Sequence, residues 1–176
     1  MTGDGTPRSG TSTCPGCGLT APEAAGPPPA EHAATAACWG AYGELLSRSY
    51  SDARYRAVHQ VFVDAYAAQH AGGSSRREVQ AVALCLMTLC LVIEHDVDPA
   101  EGPSLHKRMV AHRPDFTWLA PPSQHHLLTV ADVLAAQNAR QHCRLVRKWS
   151  YQVWQAWSAH HATIRSWNAQ ALASPS

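Results

Sequence analysis

Between Asn138 and about Ala171 the chain carries the pattern of one long amphipathic helix, and this constrains the fold more than any other feature. At about 100° per residue, His142, Val146, Trp149, Val153, Trp157, His160, Ile164 and Trp167 form a stripe roughly 80° wide. Arg140, Arg144, Arg147, Lys148 and Arg165 occupy the opposite side. A stripe rich in Trp must be buried against other elements, and those elements also read as helices. One is expected near Trp39–Arg48, a second from Ala53 to about His70 behind Ser51-Asp52, and a third from Arg76 to about Glu94 behind Ser74-Ser75. The third is apolar on nearly every side, which places it centrally. Short helical stretches are expected near Ser104–Ala111 and from Thr129 through Ala136. No stretch alternates like a strand, so the expected fold is all-α, a bundle of about four main helices.

A length of 176 residues fits one domain. The expected organisation is a flexible tail over 1–12, a helical domain over 13–172 that includes a Cys-rich knuckle at 13–39, and a short tail over 173–176. The N-terminus lacks the basic and apolar regions of a secretory signal, so the expected location is the cytoplasm. The longest apolar run, Val79–Ile93, is interrupted by Gln80 and Thr88 and is shorter than the roughly 20 residues a bilayer span needs. With a net charge of +1 the chain offers no electrostatic case for nucleic acid or a membrane surface. The bias of 12 Arg over 2 Lys, in an Ala-rich chain, reads as coding bias of a GC-rich genome.

Eleven His and six Cys point to metal chemistry, and the sharpest motif is Cys14-Pro15-Gly16-Cys17-Gly18. Two thiolates two residues apart reach one tetrahedral ion only across a tight turn, which Pro and Gly supply. The next cysteine is Cys38, in Ala37-Cys38-Trp39. Three thiolates need a fourth ligand, and His32, His59 and His70 are candidates for a structural zinc site. In a reducing compartment a disulfide is the lesser reading, and no βαβ pattern surrounds the pair to suggest a redox motif.

His59, Val63, Tyr66 and His70 share one helical face. A site inside the bundle could join His59 or His70 to His160 or His161, with Glu44, Asp64 or Glu94 orienting the rings. His142 and His160 lie about 27 Å apart along a continuous helix, too far to share an ion. His32, His95, His106, His112, His125 and His126 fall in or near loops and read as solvated. Cys85, Cys90 and Cys143 read as small packing residues, with Cys85 able to face the helix of His59 and His70. A bundle lined by Trp and His could also hold a planar cofactor, so iron or haem stands beside zinc as a cofactor, although no Cys-x-x-Cys-His haem motif is present. A P-loop, a Rossmann glycine fingerprint, His-Glu-x-x-His and Gly-x-Ser-x-Gly are also missing from the sequence.

Taken together, Cys14-Pro-Gly-Cys-Gly, Cys38-Trp39, Val63-Asp64-Ala65-Tyr66 with Gln69-His70, Leu89-Cys90-Leu91, Thr129-Val130-Ala131-Asp132-Val133 and Val153-Trp154-Gln155-Ala156-Trp157 with His160-His161 resemble a family of mostly actinobacterial proteins classed as a domain of unknown function. The resemblance spans nearly the whole chain. It implies no activity, and it implies a His near the place that Cys85 holds here. It supports Cys14, Cys17, Cys38, His59, His70, His160 and His161 as metal positions.

The function expected from the sequence is a metal-binding helical protein with a Cys/His zinc site and a His/Trp-lined pocket. The first rival is an enzyme with a His-bound metal or haem acting on a small molecule, using Tyr66 or a nearby carboxylate for proton transfer. The second is an interaction module in which zinc only staples the N-terminal segment to the helices.

Overall fold

The computed structural model describes residues 10–27 and 29–173. Residues 1–9 and 174–176, assigned above to tails, lie outside the described residues. Thr11 and Ser12 belong instead to a short strand, β1 (Thr11–Thr13). It pairs antiparallel with β2 (Thr20–Pro22) in the register Thr11↔Pro22, Ser12↔Ala21 and Thr13↔Thr20. Strands of three residues are too short to display an alternation, which is why no strand was expected.

The other regular elements among the described residues are helical. Helix α1 (Ala36–Ser51) is capped by Thr35, whose hydroxyl accepts from the Cys38 N–H. Asp52 caps α2 (Ala53–Arg56), and α3 (His59–Gln69) follows after Ala57-Val58. The expected single helix over Ala53–His70 is therefore two. Val58 leaves helical geometry (φ −118, ψ 16) while its side chain stays buried, so the apolar period runs through the break. Helix α4 (Arg76–Glu94) starts at a Ser75/Glu78 capping box, and every residue from Ala83 to Leu91 is buried. A 3-10 turn at Pro99–Glu101 leads into α5 (Gly102–Ala111). Thr129 and Asp132 form a capping box on α6 (Val130–Leu134).

The predicted long last helix is also two, α7 (Ala139–Ala156) and α8 (His161–Leu172), separated by a 3-10 turn at Ser158–His160. No Pro or Gly marks the break. His161 causes it locally: its ring stacks on Trp154 at 3.8 Å and 7°, and its Nε2 donates to the Trp154 carbonyl at 2.9 Å. That carbonyl also accepts from the Trp157 N–H at 3.0 Å, so the imidazole adds a second donor where the regular helix ends. Helix α8 then folds back onto α4 and α5.

The core is built around α3, which packs mainly on α4 and α7. Trp149, Trp154 and Trp157 are fully buried there. Each indole N–H is satisfied inside the protein, by Gln69 Oε1 at 2.9 Å, Glu94 Oε1 at 3.1 Å and the Ala68 carbonyl at 3.3 Å respectively. The Trp stripe is thus packed core, correcting the expectation of a His/Trp-lined pocket. No helix among the described residues is long and apolar enough to cross a membrane.

Candidate metal centre

The β1–β2 ribbon holds the cysteine knuckle between its strands. Cys14 N–H donates to Leu19 O and Gly18 N–H to Cys14 O, both at 2.8 Å. Gly18 takes φ +77, a left-handed conformation suited to Gly, and so turns the chain back after Cys17. Two backbone bonds of 2.8 Å tie this turn to the helices: Gly16 N–H donates to Ala33 O, and Ala33 N–H donates to His70 O. Cys38 enters from the first turn of α1, where the helix dipole favours a thiolate. His70 enters from the C-terminal cap of α3.

Cys14, Cys17, Cys38 and His70 are all buried, and one ligand atom from each lies within 4.8 Å of every other. Cys17 Sγ and Cys38 Sγ are 3.8 Å apart, and Cys38 Sγ is 3.4 Å from His70 Nε2. Zinc bonds to sulfur and nitrogen imply tetrahedral edges of about 3.8 Å for S···S and about 3.6 Å for S···N. The group therefore has the size of a zinc tetrahedron. His70 Nδ1 donates to Tyr66 O at 2.8 Å, which leaves the Nε2 lone pair directed at the cysteines. The Tyr66 ring stacks on His70 at 4.0 Å, and its hydroxyl lies 3.6 Å from Cys38 Sγ, placed to donate to a thiolate. Tyr42 stacks on the other side of Tyr66 at 4.0 Å.

Three thiols this close cannot all ionise without a cation. Hydrogen bonds from Cys17 and Cys38 pull the Cys14 thiol well below its usual range. Contacts with Cys14 and Cys38, together with burial, push Cys17 far up, and Cys14 is the main cause that holds Cys38 up at about 11. A divalent ion reverses this order by stabilising every thiolate it binds.

Of the seven positions expected to bind metal, four converge here and three do not. His59 sits at the far end of α3, with Nδ1 2.8 Å from Ser49 Oγ and Nε2 3.4 Å from Tyr50 Oη. His160 Nε2 donates to Ala120 O at 3.0 Å, and His161 is the cap of α7 described above. The imagined meeting of α3 and C-terminal histidines is absent because the break before α8 redirects both. Glu44 is exposed, and Glu94 serves Arg165 and Trp154. His32 lies beside the site, 5.4 Å from the Trp39 ring, rather than in solvent. The supporting roles of Ala33 and Thr35 had no signal beyond proximity to motif residues, whereas Tyr66 was marked by its place on the face of His70.

Compared with known families, residues 12–158 match the model described as a family of unknown function, DUF5946. The chain belongs to that family. The matched span of this DUF5946 chain includes all four converging side chains and ends before α8. Searches of curated proteins and of solved structures return no match.

Proposed function

We propose that Cys14, Cys17, Cys38 and His70 bind zinc as a closed structural site that staples the N-terminal ribbon onto α1 and α3. The observation that carries this reading is the convergence of four buried donors, from three separate parts of the chain, at the spacing of a zinc tetrahedron. Four protein ligands leave no position for substrate, so this ion acts through stability. Zinc fits a Cys3His donor set better than a hard cation would. Three unpaired thiols around one ion suit a reducing compartment, in keeping with the cytoplasm. Under this reading the knuckle at 13–39 and the helices to residue 172 act as one unit.

The test is metal content and thermal melting of reduced protein purified without chelator. Cys17→Ser is expected to lose one equivalent of tightly bound zinc and to melt lower, because binding is linked to folding. Wild-type metal content and melting temperature in that variant overturn the reading.

A further inference from the structure

Between α5 and α6 the chain runs from His112 to Thr129 without a helix or a strand. Connections longer than about 12–15 residues without regular structure are uncommon in compact domains, and ordered ones are usually functional. This one is held at two points. Phe116 packs edge-on against Trp167 of α8 at 5.1 Å, and the Ala120 carbonyl accepts from His160 Nε2 at 3.0 Å. Trp118 stands between these two anchors in the sequence, and it is 51% exposed. A large indole left half in solvent on a segment pinned at both sides is not explained by packing.

A cleft of about 540 Å³ lies between this segment and the first turns of α4. That volume falls in the roughly 300–1,000 Å³ range of small-molecule sites. One wall is the α4 face of Arg76, Val79 and Gln80, which share a side because they stand three and four residues apart. Arg113, Phe116 and Trp118 belong to the other. Each wall therefore brings one guanidinium and apolar surface. Asp115 is the acidic side chain in the lining, so the two arginines leave the cleft with a positive excess. Neither Arg76 nor Arg113 forms an ion pair among the described residues, whereas Arg77, the next residue of α4, pairs with Glu31 at 2.9 Å. Val79 and Trp118 also line an adjoining apolar slot with the buried Ala83 and Trp167, which has room for about one water. The apolar side of the cleft is thus backed by the core, and a ligand would rest on it rather than enter it.

We propose that this cleft binds a small organic anion with a flat apolar body, its carboxylate or phosphate held by Arg76 and Arg113 and its body resting on Val79, Phe116 and Trp118. A planar guanidinium presents paired N–H donors that match either head group, and two of them from different walls can fix its position. The exposed Trp118 indole offers a face to a flat ring, and covering it removes apolar surface from water. A cation would meet two arginines across the cleft, and a neutral apolar ligand would use only part of its lining. None of these five side chains belongs to the Cys3His group, so the two sites are tested separately.

The test uses the full chain as purified and the fluorescent anion anilinonaphthalene sulfonate, which has the proposed chemistry. One saturable site per chain is expected. Naphthyl phosphate and naphthoate should displace the probe at least about tenfold more effectively than the neutral naphthalenemethanol, and the better of the two anions identifies the head group. Arg76→Gln and Arg113→Gln, both at exposed positions, are each expected to weaken binding of the anions about tenfold, and together about a hundredfold. The double variant should bind the neutral alcohol as the wild type does, which a folding defect would not allow. Trp118→Ala should weaken charged and neutral probes alike. Arg140→Gln, an exposed arginine outside the cleft, is the control and should change nothing. The absence of a saturable site in the wild type overturns the proposal. Equal affinity for the anions in the wild type and the double variant also overturns it, as does displacement by the neutral alcohol as effective as that by the anions.

Discussion

Gly16 faces His70 so closely that a Cβ at position 16 would stand 2.6 Å from His70 Cδ2, 3.0 Å from its Cα and 2.6 Å from the Ala33 carbonyl oxygen. The knuckle thus approaches α3 backbone to backbone, and the ligand imidazole lies in the space a side chain would fill. Gly16→Ala must displace the turn or the ring, and two of the obstructing atoms are backbone. We expect a loss of about 1–3 kcal/mol in stability and a fall of about 10–100-fold in zinc affinity, read by chelator competition. Gly43→Ala is the control: Gly43 lies in α1 with open space at its Cβ. That change should leave zinc affinity alone and stabilise the helix by about 0.5–1 kcal/mol. Equal zinc affinity in Gly16→Ala and wild type would show that the close approach does not position His70.

Tyr66→Phe keeps the stacked rings and removes only the hydroxyl near Cys38 Sγ. Burial and the neighbouring Cys38 push the phenol above its usual range, so it remains a donor at neutral pH. A hydrogen bond to a charged sulfur contributes about 1.5–3 kcal/mol, and its loss should speed zinc transfer to a competing chelator by about tenfold or more. Unchanged transfer kinetics would mean that the hydroxyl does not touch a thiolate in the zinc-bound protein.

What was legible in the sequence follows the range of the forces involved. Helix α4 was readable because its apolar run and the Ser75 cap are local, and the observed span, Arg76–Glu94, matches the expected one. Cys14 and Cys17 of the converging group were readable because a Cys-x-x-Cys turn has chemistry of its own, and Cys38 as the next cysteine along the chain. The fourth was not: His59 and His70 share a helical face, and periodicity cannot tell which end of α3 meets the knuckle. The Ala33–His70 backbone bond decides it. His106 read as a loop residue because its stretch is polar, and its approach to Asp64 depends on how α5 packs against α3 and α4.

The end of α7 was hidden for a different reason, since the side chain that stops it lies five residues past the helix's last residue, Ala156. His161→Phe should keep the stacking on Trp154 but leave the Trp154 carbonyl with only the Trp157 N–H as donor. One hydrogen bond of the two is lost, so we expect a cost of about 0.5–1.5 kcal/mol, measured as a shift in urea midpoint at constant m-value. His161→Ala should cost more, because it removes the stacked ring as well. If the two variants are equally stable, the stacked ring adds nothing and the hydrogen bond alone sets the bend.

His142 provides a pH-dependent term unrelated to metal. It is fully buried between Tyr55, at 4.9 Å, and Phe62, at 6.4 Å, and neither ring nitrogen has a hydrogen-bond partner. Burial first, and the Arg48 charge second, lower its pKa from 6.5 to about 4. Between those values the unfolded chain binds the proton and the folded chain does not, so stability rises with pH across this window. Above 6.5 both states are neutral and the term vanishes. As pH falls toward 4 the term grows to about 3 kcal/mol against the fold. His142→Leu removes the titrating group and both unpartnered nitrogens, so it should be at least as stable as wild type at pH 7.5 and clearly more stable at pH 4.5. Proton competition for any ion held at the cysteine site acts on both proteins alike and cancels in their difference. A stability difference between wild type and His142→Leu that stays constant from pH 7.5 to 4.5 would show that His142 takes up its proton as readily in the folded chain as in the unfolded one.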